Sequence, residues 1–363
     1  YTAVRTLNIA EGLAPSPELA DAYTNGMVIA GVIPYPALAR LYGRRALETA
    51  RRINHPRTTA YALIGAGVYN LGLGQWAEAG KALQESVSIS DQVGNWQRWS
   101  EALILMEQGA YYLGEFERGL QLATDLLDSA RHRDNLLHQA WAFSGQAENN
   151  LRLGRAAAAA ELAQAAIALY ADNTDRVSEA ATYGLLTLAQ LRQGNLPLAR
   201  QTAERLTALL AKLSSSVSYY LLDALAAVAE VYLTQWEAES QTDLRSADAK
   251  SLPSSARKAC AALHRLAQVF PMGGPRAWLY EGWAQWQSGR PLRARQSWRK
   301  SLALAERLAM PYDQALAHYE LGRHAAGAER QTRLAQACDL FARLGAADDL
   351  DRARKAQTQP RGD

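Results

Sequence analysis

The sequence has very little cysteine and no long apolar run. Its 363 residues include only two cysteines, Cys260 and Cys338, which lie far apart along the chain. This number and spacing exclude a disulfide-rich scaffold and a cysteine-based zinc site, and they are typical of a reducing compartment. No apolar run reaches the length of a membrane span. We therefore expect a cytoplasmic protein that has no membrane partner.

The sequence also lacks an excess of charge of either sign. Lys and Arg number 39, Asp and Glu number 36, and the formal net charge is +3. A chain so close to neutrality has no strong long-range attraction for polyanions. We therefore expect that nucleic acid is not a partner.

No catalytic or phosphate-binding motif is complete. The segment from Gly74 to Lys81 imitates a phosphate-binding loop, but its gap is one residue too long. Ala82 stands where that motif needs Ser or Thr, and no predicted strand precedes it. No Gly-x-Ser-x-Gly sequence and no Cys/His cluster is present. The sequence therefore predicts no enzyme, no catalytic residue and no cofactor.

Metal binding has no better support in the sequence. Two histidine pairs have members six residues apart, a spacing that does not place both rings on one helical face as a spacing of four would. We interpret them as polar surface residues. The pairs are His132 with His138, and His318 with His324. The acidic run Asp348, Asp349 and Asp351 is interpreted as part of a solvated, arginine-paired helix, so we predict no metal site.

What the sequence does contain is a repeated helical hairpin. Residues 60–94 predict two amphipathic helices that meet at Gly74. Turn glycines follow at intervals of forty residues, at Gly114, Gly154 and Gly194. A single hairpin of this size cannot bury both of its apolar faces, so its neighbours must cover them. The sequence therefore predicts an all-α chain of stacked antiparallel helix pairs.

Small residues recur at fixed distances from these glycines and from Pro34, which stands forty residues before Gly74 and marks the same position of the register. Packed helix axes lie roughly 8–10 Å apart, and the closest crossings admit only Gly, Ala or Ser. The small residues five positions after each mark are Ala39, Ala79, Gly119, Ala159 and Ala199. Those fourteen positions before are Ala20, Ala60, Ser100, Ala140 and Ala180. We take these positions as the helix contacts of the array.

The spacing divides the chain into four parts. Residues 1–236 carry the regular forty-residue hairpins. Residues 237–255 are polar and lack an apolar stripe, so we predict an inserted loop. Residues 256–357 predict further hairpins and a C-terminal cap helix, and residues 358–363 predict a disordered tail.

The strongest single match to a known pattern comes late in the chain. Trp278, Gly282, Gly289 and Ala294 resemble the tetratricopeptide repeat, in which an aromatic, a small residue, a turn glycine and an alanine recur across a hairpin. The period of forty exceeds the family's usual period of about 34 and is similar to its longer variant in regulatory arms of signalling ATPases. The resemblance implies a right-handed superhelix with a concave binding face.

A second resemblance concerns the end of the chain. Residues 311–324 and 341–346 resemble the C-terminal repeats of bacterial proteins that join a class III nucleotide (adenylate) cyclase, or a kinase, to an NTPase. The chain itself contains none of those catalytic segments. It begins inside a predicted helix at Tyr1, so we expect it to be part of a longer polypeptide. The resemblance implies a sensor or scaffold arm for an effector domain in the same parent chain.

The predicted function is non-enzymatic binding of a protein or peptide. The first helices of the hairpins are expected to line the concave face. Their amides could bond a partner's backbone or, equally, an adjacent hairpin, and their aromatics could be contact residues or core. The candidate binding residues are Asn70, Trp99, Trp141, Asn150, Tyr183, Gln190 and Tyr220.

Two other functions are compatible with the same array, namely a structural or self-associating arm and a small-ligand sensor. A basic row also has two interpretations: a solvated helix face, or a surface for an acidic peptide. Its members are Arg290, Arg293, Arg295, Arg299 and Lys300.

Overall fold

The computed structural model describes residues 14–33, 35–171, 174–213, 218–240 and 251–358. Within these ranges every regular element is a helix, and none is a strand. Seventeen α-helices follow one another: α1 Pro17–Val32, α2 Pro36–Arg52, α3 Pro56–Leu73, α4 Trp76–Gln92, α5 Trp96–Tyr112, α6 Phe116–His132, α7 Leu136–Arg152, α8 Ala156–Tyr170, α9 Arg176–Arg192, α10 Leu196–Lys212, α11 Leu222–Ser240, α12 Leu252–Val269, α13 Gly274–Gln287, α14 Pro291–Arg307, α15 Pro311–Arg323, α16 Gly327–Arg343 and α17 Ala347–Thr358. Two short 3-10 turns, Tyr219–Leu221 and Pro271–Gly273, precede α11 and α13.

The helices end in the same way along much of the array. Gly74 has φ 73°, in the left-handed region, and its N–H donates to the Leu71 carbonyl. The next N–H, of Gln75, donates to the Asn70 carbonyl. This Schellman pair satisfies carbonyls that the helix leaves unbonded, and glycine adopts the required φ without steric cost. The same two bonds recur at Gly114, Gly154, Gly194 and Gly289.

Odd-numbered helices are the first members of the hairpins, and even-numbered helices are the second. The chain divides into two compact units, residues 1–109 with 269–272, and residues 110–268 with 273–363. In the first unit α1 packs on α2, and α3 packs on α4. In the second unit the first helices pack on one another in chain order, α7 on α9, α9 on α11, α11 on α13 and α13 on α15. Of these, α7, α9, α13 and α15 also pack on their own second helices. The predicted all-α array of helix pairs stacked in chain order is confirmed.

Small residues stand where helices cross most closely. A Cβ added at Gly184 on α9 would lie 2.5 Å from the Ala224 Cα on α11, so only glycine fits this crossing. Gly282 lies directly against the Trp298 indole, whose Nε1 donates to the Leu279 carbonyl. The aromatic and small positions of the hairpin at α13 and α14 are therefore packing positions, as the tetratricopeptide pattern implies.

Some predicted boundaries differ from the structure. Residues 237–240 continue α11 and residues 252–255 begin α12, so these two ends of the predicted loop are helical. Residues 241–250, the middle of that loop, lie outside the described residues. Residues 2–13, which predict the second helix of an incomplete hairpin, and the tail at 359–363 lie outside them too, whereas Thr358 ends α17.

The interior of the second unit contains a network of buried charges that the sequence did not predict. Arg152 on α7 is 3% exposed. Its Nε donates to the Tyr111 hydroxyl at 2.7 Å, its Nη2 to Asp223 at 2.8 Å and its Nη1 to the Tyr312 hydroxyl at 3.2 Å. These partners lie on α5, α11 and α15, up to 160 residues away in sequence. One guanidinium thus joins four first helices.

A second arginine extends this network. Arg276 on α13 donates to Asp223 at 3.3 Å and also to Asp313. The Tyr312 hydroxyl donates in turn to Asp349 on α17 at 2.6 Å. Asp349 is therefore buried rather than solvated, which corrects our interpretation of the acidic run. We call the set Tyr111, Arg152, Asp223, Arg276, Tyr312, Asp313 and Asp349 the interior network.

Opposite charges keep the buried groups ionised. Burial acts to raise the pKa of Glu230, but the charges of Arg192 and Arg352 and the hydrogen bonds from Arg192 and Tyr280 together outweigh it, and the pKa falls to about 2. The Arg192 Nη1 lies 2.6 Å from Glu230 Oε1. Burial similarly opposes ionisation of Asp349, yet nearby arginines hold its pKa below the usual value. A buried charge without such partners would cost several kcal/mol. The charges of Glu230 and Asp349 are therefore balanced by arginines within the protein interior.

The histidines also differ from the prediction. His132 is exposed, as expected, but His138, His318 and His324 are buried. Burial, together with the positive charge of Arg333, lowers the pKa of His318 to about 4. His324 lies between the rings of Trp286 and Trp298, with centroid distances of 4.0 and 4.9 Å. These side chains are core elements rather than surface residues.

The turn geometry predicts opposite effects for two glycine substitutions. At Gly194, φ is 77° and nothing lies near an added Cβ, so Gly194→Ala should lower the free energy of unfolding by about 1 kcal/mol through backbone strain alone. Gly80 lies inside α4 with open space around it, so Gly80→Ala should raise it by about 0.5–1 kcal/mol. Urea unfolding monitored by circular dichroism measures both. Equal signs would contradict the turn assignment.

The interior network predicts a large loss of stability on truncation. Arg152→Ala leaves Asp223 with one fewer cationic partner in the core, so the free energy of unfolding should fall by about 3–5 kcal/mol. Arg51→Ala is the matched control, because Arg51 forms an exposed ion pair with Glu85 at 2.9 Å. Its loss should cost less than about 1 kcal/mol. Similar losses for the two variants in the same urea titration would show that the network is not structural.

Candidate functional site

The seven predicted binding residues are divided between the two units. Asn70 and Trp99 belong to the first unit and both are partly buried. The Trp99 ring packs edge-on against Trp96 at a centroid distance of 6.1 Å. The Asn70 carbonyl accepts the turn bonds that end α3.

Three of the residues in the second unit have local partners. Trp141 donates from Nε1 to Asp175 at 2.9 Å, in the next hairpin. Asn150 is buried, and its Nδ2 donates to the Gln146 carbonyl within its own helix at 2.8 Å. Tyr220 stacks on Tyr219, with a centroid distance of 4.7 Å.

Tyr183 and Gln190 are the two that the structure brings together, at one cavity. They lie on α9 with Leu186 at intervals of three and four residues, which places all three on one face of the helix. The cavity has a volume of about 460 Å³ and lies between α8 and α10, the second helices of consecutive hairpins. We call it the α8–α10 cavity. It is lined by Gln164, Ile167, Ala168, Tyr183, Leu186, Gln190, Leu198, Gln201, Thr202 and Arg205.

The α8–α10 cavity combines apolar walls with polar groups. Ile167, Leu186 and Leu198 supply aliphatic surface, and Leu198 is 41% exposed. The exposed amides of Gln164 and Gln201 and the guanidinium of Arg205 also line the cavity. The Arg205 guanidinium carbon lies 6.0 Å from the centroid of the Tyr183 ring. Such a lining suits a ligand with one apolar side chain and several hydrogen-bonding groups.

Gln190 is the informative residue of this cavity. It is 5% exposed, and among the residues that the structure describes its Oε1 has no hydrogen-bond partner. A buried acceptor without a donor costs about 1–3 kcal/mol. A ligand that donates an N–H to Oε1 would recover that cost, so the site favours a hydrogen-bond donor at this point.

A smaller cavity of about 300 Å³ lies further along the second unit. It is lined by Trp236, Arg257, Glu281, Ala284, Gln285, Ser288 and Arg290. The Glu281 carboxylate accepts a bond from Gln285 at 2.8 Å, whereas Arg257 and Arg290 have no ion-pair partner within the described part of the chain. The cavity therefore combines two guanidinium groups with one carboxylate, that of Glu281.

The described residues hold neither a metal-binding cluster, nor a reactive thiol at Cys260, nor a membrane-spanning helix. They contain no cluster of three or more His, Cys, Asp or Glu side chains that could hold a metal ion. Burial raises the pKa of the Cys260 thiol to about 12, so this cysteine is a poor nucleophile. No helix among the same residues is long and apolar enough to cross a membrane.

Solved structures share this architecture. The apo form of RapI matches with a TM-score of 0.56 and 11% identity, over 78% of this chain and 98% of that one. A Rap protein complexed with competence and sporulation factor matches with a TM-score of 0.61 and 12% identity, over 85% of this chain and 80% of that one. This chain has a tetratricopeptide-like helical-repeat fold. At such low identity the likeness concerns the fold alone.

Sequence comparisons add nothing to this assignment. No protein-family model matches the chain. No curated protein matches it either.

Sequence reasoning missed the charged residues of the first helices. Arg152 and Arg192 each lie two positions before a turn glycine, so their equivalence is visible in the forty-residue register. Their partners are less visible, because Arg152 reaches Tyr312 across four hairpins. Register therefore identifies the positions, and only the tertiary structure identifies the pairs.

The unpaired amide of Gln190 predicts a gain of stability on substitution. Gln190→Leu should raise the free energy of unfolding by about 1 kcal/mol, because leucine needs no buried hydrogen bond. Thr187→Val is the control on the same helix, because the Thr187 hydroxyl donates to the Tyr183 carbonyl at 2.7 Å. That variant should lose about 1 kcal/mol. A loss in Gln190→Leu, measured by urea unfolding, would mean that the amide is satisfied in solution.

Proposed function

We propose that the chain is a non-enzymatic binding module that takes an extended segment of a partner protein into the α8–α10 cavity. The observation that carries this proposal is the buried, unpaired Oε1 of Gln190, a residue that lines this cavity together with apolar side chains. It deepens the expectation that Tyr183 and Gln190 bind a partner. Asn70, Trp99, Trp141, Asn150 and Tyr220 stay predicted binding residues outside this cavity.

The geometry favours extended polypeptide over a helix as the bound element. Inside a helix nearly all backbone N–H groups are already bonded, whereas an extended segment offers a free N–H at each residue. One such N–H can bond Gln190, and a neighbouring apolar side chain can lie against Ile167 and Leu198. Because side chains alternate in an extended segment, the next residue would point outward.

The fold neighbours support a binding role. One of them was solved in complex with competence and sporulation factor, so an array of this kind can hold a partner. The absence of complete catalytic motifs in the sequence favours binding over catalysis. We propose that the partner is a protein or peptide, not nucleic acid or membrane.

The module is further proposed to be the sensor or scaffold arm of a larger cytoplasmic signalling protein. The support is the resemblance of residues 311–324 and 341–346 to the ends of NTPase-linked cyclases or kinases. These segments pack on each other, with the Tyr312 and Phe341 rings 5.8 Å apart. Deleting the arm from the parent protein should change regulation of the effector while the isolated effector domain stays active. Loss of that intrinsic activity would contradict a regulatory role.

Peptide selection followed by titration tests the cavity. A randomised peptide library displayed on phage is selected on the immobilised chain, and the selected peptide is labelled and titrated by fluorescence anisotropy. Gln190→Leu should weaken binding by about tenfold, or about 1.4 kcal/mol, because one buried hydrogen bond is lost. Tyr183→Ala should weaken it as well. N-methylation of the bonded peptide nitrogen should reproduce the loss.

Gln75→Ala, in the link between α3 and α4, is the control variant and should bind like the wild type. Failure to select any peptide, or selected peptides that bind Gln190→Leu and wild type equally, would overturn the proposal. Circular dichroism of each variant checks that the fold is intact.

A small-ligand sensor is the second candidate, because about 460 Å³ lies within the usual range of about 300–1,000 Å³ for small-molecule pockets. A thermal-shift screen with sugars and nucleotides tests it. A shift that Gln190→Leu abolishes would favour the sensor.

A further inference from the structure

A strongly basic surface runs along two second helices of the second unit. The helices α12 and α14, together with Arg290 before α14, carry nine Lys and Arg residues and one acidic residue, Glu306. The whole chain carries 39 basic and 36 acidic residues, so this surface is far from the average. The basic residues are Arg257, Lys258, Arg265, Arg290, Arg293, Arg295, Arg299, Lys300 and Arg307. We call these nine residues the basic face.

The two helices are joined through one aromatic side chain. The His264 ring of α12 packs edge-on against the Trp278 ring of α13, at a centroid distance of 4.8 Å. Lys300 of α14 lies over the same ring, with Nζ 4.3 Å from its centroid. Arg257 of α12 and Arg290 line the same cavity of about 300 Å³. The basic residues of α12 and α14 are therefore connected at Trp278 and at this cavity.

Most of its charges lack an internal counter-charge. Arg293, Arg299 and Lys300 are exposed, and no ion pair to them is present within the described ranges. Arg295 is the exception, because it donates to the His324 carbonyl at 2.9 Å and lies 3.8 Å from Glu329. Like charges held close together repel one another, so an acidic ligand on this face relieves repulsion as well as adding attraction.

We propose that the basic face is a docking surface for an acidic protein segment, separate from the α8–α10 cavity. A carboxylate of the segment enters the cavity between Arg257 and Arg290, whose two positive charges outnumber the single carboxylate of Glu281 there, and arginine can bind both oxygens of the incoming carboxylate. Leu292, which is 77% exposed next to Arg293, supplies an apolar contact. This assigns the basic row to binding rather than to solvation alone.

The aromatic and apolar side chains of the basic face disfavour two other negatively charged partners, single-stranded nucleic acid and a membrane surface. Single-stranded nucleic acid usually stacks its bases on aromatic rings. Here the ring of Trp278 is already covered by Lys300, and Arg257 lies 6.0 Å from the centroid of Trp236. A membrane surface requires several apolar side chains for insertion. On the described residues of α12 and α14, Leu292 is the only large apolar side chain that is exposed.

Charge reversal tests this docking surface. The probe is a fluorescein-labelled peptide of Glu-Glu-Leu repeats, titrated against the full chain by anisotropy. The wild type should bind it, and binding should weaken as salt is raised. Arg293→Glu combined with Arg299→Glu should weaken binding by at least about tenfold. Arg257→Ala should weaken it too, because the cavity then loses one guanidinium.

The matched control reverses two exposed arginines elsewhere. Arg40→Glu with Arg44→Glu on α2 makes the same change in net charge away from the basic face. It should retain at least half of the wild-type affinity. Gln190→Leu should also bind the acidic peptide normally, so this experiment and the selection on the α8–α10 cavity can fail independently. Exposed substitutions of this kind leave the fold intact, which circular dichroism checks.

Three results would overturn the proposal. The first is equal binding of a Gln-Gln-Leu peptide, which would show that charge is not recognised. The second is an equal loss of affinity in the α2 control, which would show that only net charge matters. The third is tighter binding of labelled single-stranded DNA, or of phosphatidylserine vesicles, with the same dependence on Arg293 and Arg299.

Discussion

The structure depends on the way each helix is stopped. Nine of the described helices are 17 residues long, or about 26 Å, so hairpins built from them have matching lengths and can stack. A three-residue link with one left-handed residue turns the chain back. Between hairpins this residue is Asn54, Gly94 or Asp134, again forty residues apart. Asn and Asp tolerate this conformation better than most residues, so glycine is not needed at every turn.

Stacking alone does not explain why the second unit is compact. Its first helices carry arginines and carboxylates that would be costly to bury singly. Arg152 and Arg276 share Asp223 as a partner, and Tyr312 bonds both Arg152 and Asp349. Each group is therefore satisfied only when helices from distant hairpins are in place. The interior network adds long-range specificity to an architecture whose other contacts are mostly between neighbours.

The fold was predictable from local signals, and the site was only partly so. Gly74 and its equivalents indicate both a turn and a period, because a left-handed residue is a local requirement. The α8–α10 cavity was not predictable, because its walls come from three helices and depend on how α8 and α10 are spaced. Tyr183 and Gln190 were found because they are polar or aromatic at fixed positions on a first helix. The same rule selected Asn150, which bonds its own helix instead.

The two proposed surfaces of the second unit are built mainly from its second helices, although Tyr183 and Gln190 of the first helix α9 also line the α8–α10 cavity. The charged groups of the interior network bond one another, and a partner that entered among them would have to break bonds such as those of Arg152. At the α8–α10 cavity and the basic face a partner would meet groups that have no hydrogen-bond or ion-pair partner among the described residues, namely Gln190 Oε1, Arg293 and Arg299. Binding there gains hydrogen bonds and charge neutralisation without a compensating loss inside the protein. The charged groups that stabilise the interior are paired with one another, whereas those proposed to bind partners are left at the surface.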